Sequence, residues 1–176
     1  MKLFKSNAFK CVVVMLSVIL LCGGLLAVLS DLLKVSDTER IQRSIDKIYG
    51  AGVTEIEQVI DADYKTDFGE IKSCYKLKNG DYLVQSTGKK GYSNGTVTLD
   101  ISITIVDGTA TVKKAVLNGY TSQTLMSQLT SLYNKFANVN STTVGDVSVV
   151  TGASMSSTAG INAVKTAIDF INRLGG

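Results

Sequence analysis

Between Asp146 and Thr158 the chain reads Asp-Val-Ser-Val-Val-Thr-Gly-Ala-Ser-Met-Ser-Ser-Thr, an extended apolar run that meets hydroxyl and small residues just ahead of a helical pattern. Backbone amides at a helix start are unpaired and carry partial positive charge, so such a junction suits an anion such as phosphate. Gly152 and Ala153 let a ligand approach the backbone closely. Thr151, Ser154, Ser156 and Ser157 supply hydroxyls that can hydrogen-bond a phosphate or be esterified by one. The same spacing fits a plainer role, in which Ser156 or Ser157 caps the helix that follows.

Elsewhere the composition removes chemistry. There is no histidine, which excludes a Ser-His-Asp or Cys-His nucleophile, a histidine base and a His-ligated metal. Difficult chemistry has to arrive with a cofactor. Cys11 and Cys22 lie in the apolar N-terminus and Cys74 stands alone in the polar part, so the body cannot close a disulfide on itself, and Cys74 reads as a small core residue. Lys2, Lys5 and Lys10 account for the whole net charge of +3. A neutral body is a poor binder of nucleic acid, and no nucleic-acid partner is expected. Lys89-Lys90 and Lys113-Lys114 are the only paired charges in the body. They read as solvated strand ends, with docking to an acidic partner or a lipid headgroup as the alternative.

The elements that must position the motif can be read from periodicity. Ser36-Asp-Thr-Glu39 has the spacing of a capping box, and Ile41, Ile45 and Ile48 follow on one helical face before Gly50. Ile71 to Leu77 and Tyr82 to Gln85, joined at Asn79-Gly80, describe a β-hairpin. Thr96 to Val106 alternates Val97, Leu99, Ile101, Ile103 and Ile105 with Thr, Asp and Ser, then turns at Asp107-Gly108 into Thr109 to Leu117. Leu125, Leu129, Leu132 and Phe136 repeat at helical spacing behind a cap at Thr121 or Ser122, and Ile161, Val164, Ile168 and Ile171 line a last helix. The expectation is an α+β domain with an antiparallel-rich sheet flanked by amphipathic helices over residues 36–176.

Residues 1–35 differ in kind. From Cys11 to Ser30 there are 20 residues without a charge, enough for a helix of roughly 30 Å, the thickness of a bilayer's hydrocarbon core. With the three lysines ahead of it, the run predicts one retained N-terminal transmembrane helix, a cytoplasmic N-terminus and an extracytoplasmic body. The alternative is a cleaved signal peptide, whose apolar region is usually shorter and ends at a small-x-small site.

Thr151-Gly-Ala-Ser-Met-Ser-Ser157, followed by Ala159, Ala163 and Ala167, resembles the Ser-Gly-Ala-Thr-x-Thr-Ser signature of the FMN-binding domain family. That family includes the G subunit of the Rnf electron-transport complex and the C subunit of the sodium-translocating NADH:quinone oxidoreductase. Gly80-Asp-Tyr-Leu-Val, Gly88-Lys-Lys-Gly-Tyr92 and the strand pair turning at Asp107-Gly108 are similar to the family's order of strands. The resemblance implies FMN esterified through its phosphate to Ser154, with Thr151, Gly152, Ala153, Ser156 and Ser157 around it. It places the loops of Tyr92 and Tyr120 near the motif, where either ring could pack on the flavin. It also implies a membrane-anchored electron relay, with a flavin transferase during maturation and other membrane subunits of an electron-transport complex as partners. The chain departs from the family where Gly119-Tyr-Thr-Ser-Gln-Thr124 replaces a Glu-Thr-Pro-Gly-Leu-Gly turn. Two further readings stand beside this one, a free-standing extracytoplasmic FMN carrier and a cofactor-less anchored binding domain.

Overall fold

The computed structural model describes the backbone of residues 7–32, 37–120 and 126–175, and the side chains of these except 7–9, 27–32, 37–38, 120 and 126–127. The chain divides into two units, Met1–Arg40 and Ile41–Gly176. In the first, helix α1 (Asn7–Leu32) is apolar around its whole circumference. Its described side chains, among them Met15, Ile19, Leu20 and Leu26, are exposed. Among the described residues no helix is long and apolar enough to cross a membrane. The uncharged run continues to Ser30, past Leu26, the last α1 residue whose side chain is described.

The second unit holds most of α2 (Asp37–Tyr49), then β1 (Ile56–Ile60), β2 (Gly69–Leu77), β3 (Tyr82–Gly88), β4 (Val97–Val106) and β5 (Thr109–Tyr120), and finally α3 (Met126–Asn134) and α4 (Ser154–Leu174). The strands form one antiparallel sheet in the order β1-β2-β3-β4-β5. This is the expected α+β architecture. Asp107 (φ 50°) and Gly108 (φ 75°) make the tight turn between β4 and β5. β1 went unread because it carries no alternating apolar pattern: Val59 is 68% exposed, and the strand is held by its ladder to β2 and by half-buried Ile56 and Ile60 at its two ends, with exposed ion pairs alongside. Lys78 meets Glu55 at 2.6 Å and Lys76 meets Glu57 at 3.4 Å.

One face of the sheet carries the main core. Cys74, Val84, Leu99, Ile101 and Ile103 meet Leu129, Leu132, Val164, Ile168 and Ile171, all fully buried. The predicted last helix therefore exists, but it is longer than its apolar period suggested. It begins at Ser154, and its buried face includes Ala159, Ala163 and Ala167. Those alanines allow a very close approach: a β-carbon on Gly88 would lie 1.9 Å from the Ala159 carbonyl oxygen and 2.5 Å from the Ala163 nitrogen. Ser86 Oγ donates to the Ala163 carbonyl at 2.7 Å. α3 ends at Asn134, so Phe136 is buried from the turn that follows the helix. The proposed cap at Thr121 or Ser122, Leu125, and Ser36 of the capping box lie outside the described residues.

The other face carries the polar residues of β4, Asp100 and Ser102 among them. Helix α2 covers it. Ile45 packs on Leu77 and Leu83, while Asp100 and Asp81 are 4% and 2% exposed. Asp100 accepts from the Ser44 hydroxyl and from the amides of Gln85 (3.2 Å) and Asn118 (2.7 Å). Asp81 accepts from Tyr49 Oη, Asn79 Nδ2 and Lys113 Nζ. Tyr49 also hydrogen-bonds Ser102. Lys113, solvated as expected at 48% exposure, is thus also the partner of a buried carboxylate.

Two outcomes follow from this packing. Gly88→Ala drives a methyl group into helix backbone, so it lowers stability by about 3 kcal/mol or more, whereas Gly145→Ala, with open space around it, stays within about 0.5 kcal/mol; urea denaturation of the two variants checks this. Burial pushes the Cys74 thiol from 9.0 up to about 12 and the Tyr133 phenol from 10.0 up to about 12. Both are neutral when protonated, so the stability they contribute is fully present below pH 9 and is lost as pH rises toward 12. The slope is about 1.4 kcal/mol per pH unit for each group. Urea midpoints measured from pH 8 upward should fall in that window, and Cys74→Ala should flatten the fall by one proton.

Candidate functional site

The motif is built where an extended strand-like segment turns into α4. After a 3₁₀ turn at Val144–Asp146 the chain runs extended to Val150 and closes a turn in which the Ala153 amide donates to the Val150 carbonyl at 3.0 Å. Gly152 sits at φ +81° in that turn, a left-handed conformation that suits glycine. Ala153 occupies the cap position of α4, and no side chain caps the helix. Ser156 and Ser157 lie inside the first turns, so neither is the N-cap that spacing alone suggested.

Ser157 does a different job. Its hydroxyl donates to the Ala153 carbonyl at 2.8 Å and accepts from the Val150 amide at 3.0 Å. It ties the incoming segment to the helix from the buried side. The hydroxyls are therefore sorted: Ser156 and Ser157 are buried, while Thr151 and Ser154 are exposed, with Gly152 between them. Ser154 is the first residue of α4, where first-turn amides lack intrahelical acceptors. Chemically this is an accessible hydroxyl beside unpaired N–H donors and the positive end of a 21-residue helix. Two neighbours that periodicity did not flag are exposed apolar side chains, Val149 at 44% and Met155 at 53%.

The sheet brings the other predicted residues to the same end of the domain. Register aligns Gly69, Gly88, Val97 and Tyr120 in one row across β2, β3, β4 and β5, and Gly88 carries the N-terminal half of α4. The loop after Gly88 is held to α4 by Asn162 Nδ2, which donates to the Lys89 carbonyl at 3.0 Å. Tyr92 lies in that loop and is 55% exposed. Among the described residues no hydrogen bond or ring contact joins Tyr92 to residues 151–157. The Tyr120 backbone is placed by its pairing with Val97, and its side chain lies outside the described residues. A cleft of about 640 Å³ at the β1 and β2 edge, lined by residues such as Asp61, Asp63 and Lys72, contains none of the motif.

No family model and no curated protein matches the chain. The turn geometry carries its own prediction. Ser157→Ala leaves the Val150 amide without its acceptor, which costs about 1 to 3 kcal/mol. Urea denaturation should register that loss, and hydrogen exchange at Val150 should accelerate while exchange in the β3 and β4 core stays protected.

Proposed function

We propose that this chain is a membrane-anchored flavoprotein that carries FMN on Ser154 through a phosphoester bond and relays electrons within an Rnf-type ion-translocating electron-transport complex. The observation that carries the reading is the setting of Ser154. In the segment that resembles the FMN-binding signature, it is an exposed hydroxyl residue at the uncapped start of α4. The residues present fit a phosphoester. The first-turn amides lack intrahelical acceptors and Thr151 adds an exposed hydroxyl, Gly152 carries no side chain to block an approach, and Val149 and Met155 are exposed apolar neighbours that could cover a ring. Tyr92 and Tyr120 are the aromatic candidates at that end of the sheet.

Attachment requires a flavin transferase acting on a flavin dinucleotide. Ser154 Oγ bonds to the flavin-side phosphorus and gives up its proton, while the pyrophosphate bond breaks and a nucleoside monophosphate leaves. FMN so held supplies the one- and two-electron chemistry of its isoalloxazine ring. The protein has only to position it and exclude competing reactions, a role compatible with a chain that lacks histidine.

The reading assigns residues 11–30 to a single bilayer span, with Lys2, Lys5 and Lys10 on the cytoplasmic side and the body outside. The exposed apolar side chains of α1 support it. So does Ser17, whose hydroxyl donates to the Val13 carbonyl at 2.8 Å and needs no water, as a hydrocarbon environment demands.

Intact-mass measurement of the full chain co-expressed with a flavin transferase tests the assignment. One FMN, less the atoms lost on esterification, should add to the wild type and to Ser156→Ala, and Ser154→Ala should lose both the added mass and in-gel flavin fluorescence. No addition overturns it and leaves the anchored binding domain, whereas an addition that survives Ser154→Ala overturns Ser154 as the attachment point. Co-purification with other membrane subunits is expected of a complex subunit and not of a free-standing carrier.

A further inference from the structure

Three segments distant in sequence meet around one exposed aromatic ring. Phe68, in the loop before β2, is 41% exposed. Lys90 Nζ lies 4.3 Å and Lys165 Nζ 5.1 Å from its ring centroid. Neither ammonium forms an ion pair among the described residues, Asp67 beside Phe68 and Asp169 four residues after Lys165 included. The assembly is held by main-chain bonds. The Lys89 amide donates to the Phe68 carbonyl at 2.8 Å, and Asn162 of α4 binds the Lys89 carbonyl. Lys90 itself sits at φ +68°, a conformation disfavoured for a residue with a side chain and kept here by the surrounding bonds.

We propose that Phe68, Lys90 and Lys165 form a contact site for an anionic phospholipid surface. An apolar ring flanked by long-stemmed cations is the chemistry of an interfacial anchor: the ring enters the boundary between headgroups and acyl chains while the ammoniums reach phosphates. The cations are lysines, point charges suited to a diffuse anionic surface. A protein partner's carboxylates are better matched by arginine, whose fork binds them two bonds at a time. The proposal rests on the membrane placement given above, which supplies the lipid surface.

The chain contains no tryptophan, so Phe68→Trp makes a unique reporter. The full chain carrying it is reconstituted into vesicles of phosphatidylcholine alone or with phosphatidylglycerol. The expected result is a shift of emission to shorter wavelength and quenching by brominated lipid in the anionic vesicles only, reversed by high salt. The shift should persist in Lys90→Arg/Lys165→Arg and vanish in Lys90→Glu/Lys165→Glu, each checked for an unchanged far-ultraviolet circular dichroism spectrum. Emission indifferent to lipid charge and to salt overturns the proposal, as does a shift that requires an added acidic protein. Flotation with neutral vesicles reads the anchor separately: a chain that fails to float there overturns the anchor while the emission comparison still decides the patch.

Discussion

The absence of a side chain at Gly88 is the constraint on which the rest of the domain depends. A β-carbon there would overlap the backbone of α4, and at its partner across the ladder, Gly69, one would lie 2.6 Å from the Thr87 carbonyl oxygen and 2.7 Å from Thr166 Oγ1. The two glycines and the buried alanines 159, 163 and 167 let helix and sheet meet at backbone distance. Such contact leaves little freedom for the helix to slide or rotate, since interiors are packed too densely to absorb a shift. Everything of functional interest hangs on that seat. It sets which way α4 faces and where Asn162 can catch the loop that carries Lys90 and Tyr92.

The opposite face follows a different rule. Asp81 and Asp100 are buried under α2 and are tolerable only because each accepts several hydrogen bonds. Asp100 does so from neutral donors, a hydroxyl and two amides. Tyr49 spans the network from Asp81 to Ser102, and burial holds its phenol well above the usual tyrosine range. Removal of any one donor would strand a charge, so the network specifies one docking of α2 more sharply than the few apolar contacts of Ile45 could. Two solutions thus hold α4 and α2 to the sheet: close apolar contact for α4 and a satisfied polar lattice for α2.

What could be read without coordinates was what local pattern controls. Val97 to Ile105 alternates because one face of β4 is core, and Asp107-Gly108 turns because both residues accept positive φ. What could not be read depends on partners distant in sequence. Asp100 looks solvent-facing until α2 is laid over it. β1 has no apolar rhythm, since its ladder and half-buried Ile56 and Ile60 at its two ends hold it. The hydroxyl cluster showed the same limit. Spacing offered Ser156 and Ser157 as caps, yet the helix starts earlier because Gly152 and Ala153 complete the turn and Ser157 closes it from inside. The motif was legible as a motif; which of its hydroxyls face outward was decided by the seat of the helix.

That seat also couples the two surfaces assigned to function. At 100° per residue, Ser154, Thr158, Ile161 and Lys165 fall on one stripe of α4, and Ser154 and Lys165 lie roughly 16 Å apart along its axis. Both are exposed, whereas the residues between them on the stripe are half-buried. A straight helix pinned at Gly88 cannot change that separation. The proposed attachment point and the proposed lipid contact therefore lie at the start and the middle of one helix, and a surface engaged at Lys165 limits how far from it a group on Ser154 can lie. For an electron carrier whose transfer rate depends on distance to its partners, a fixed span is more useful than a flexible one.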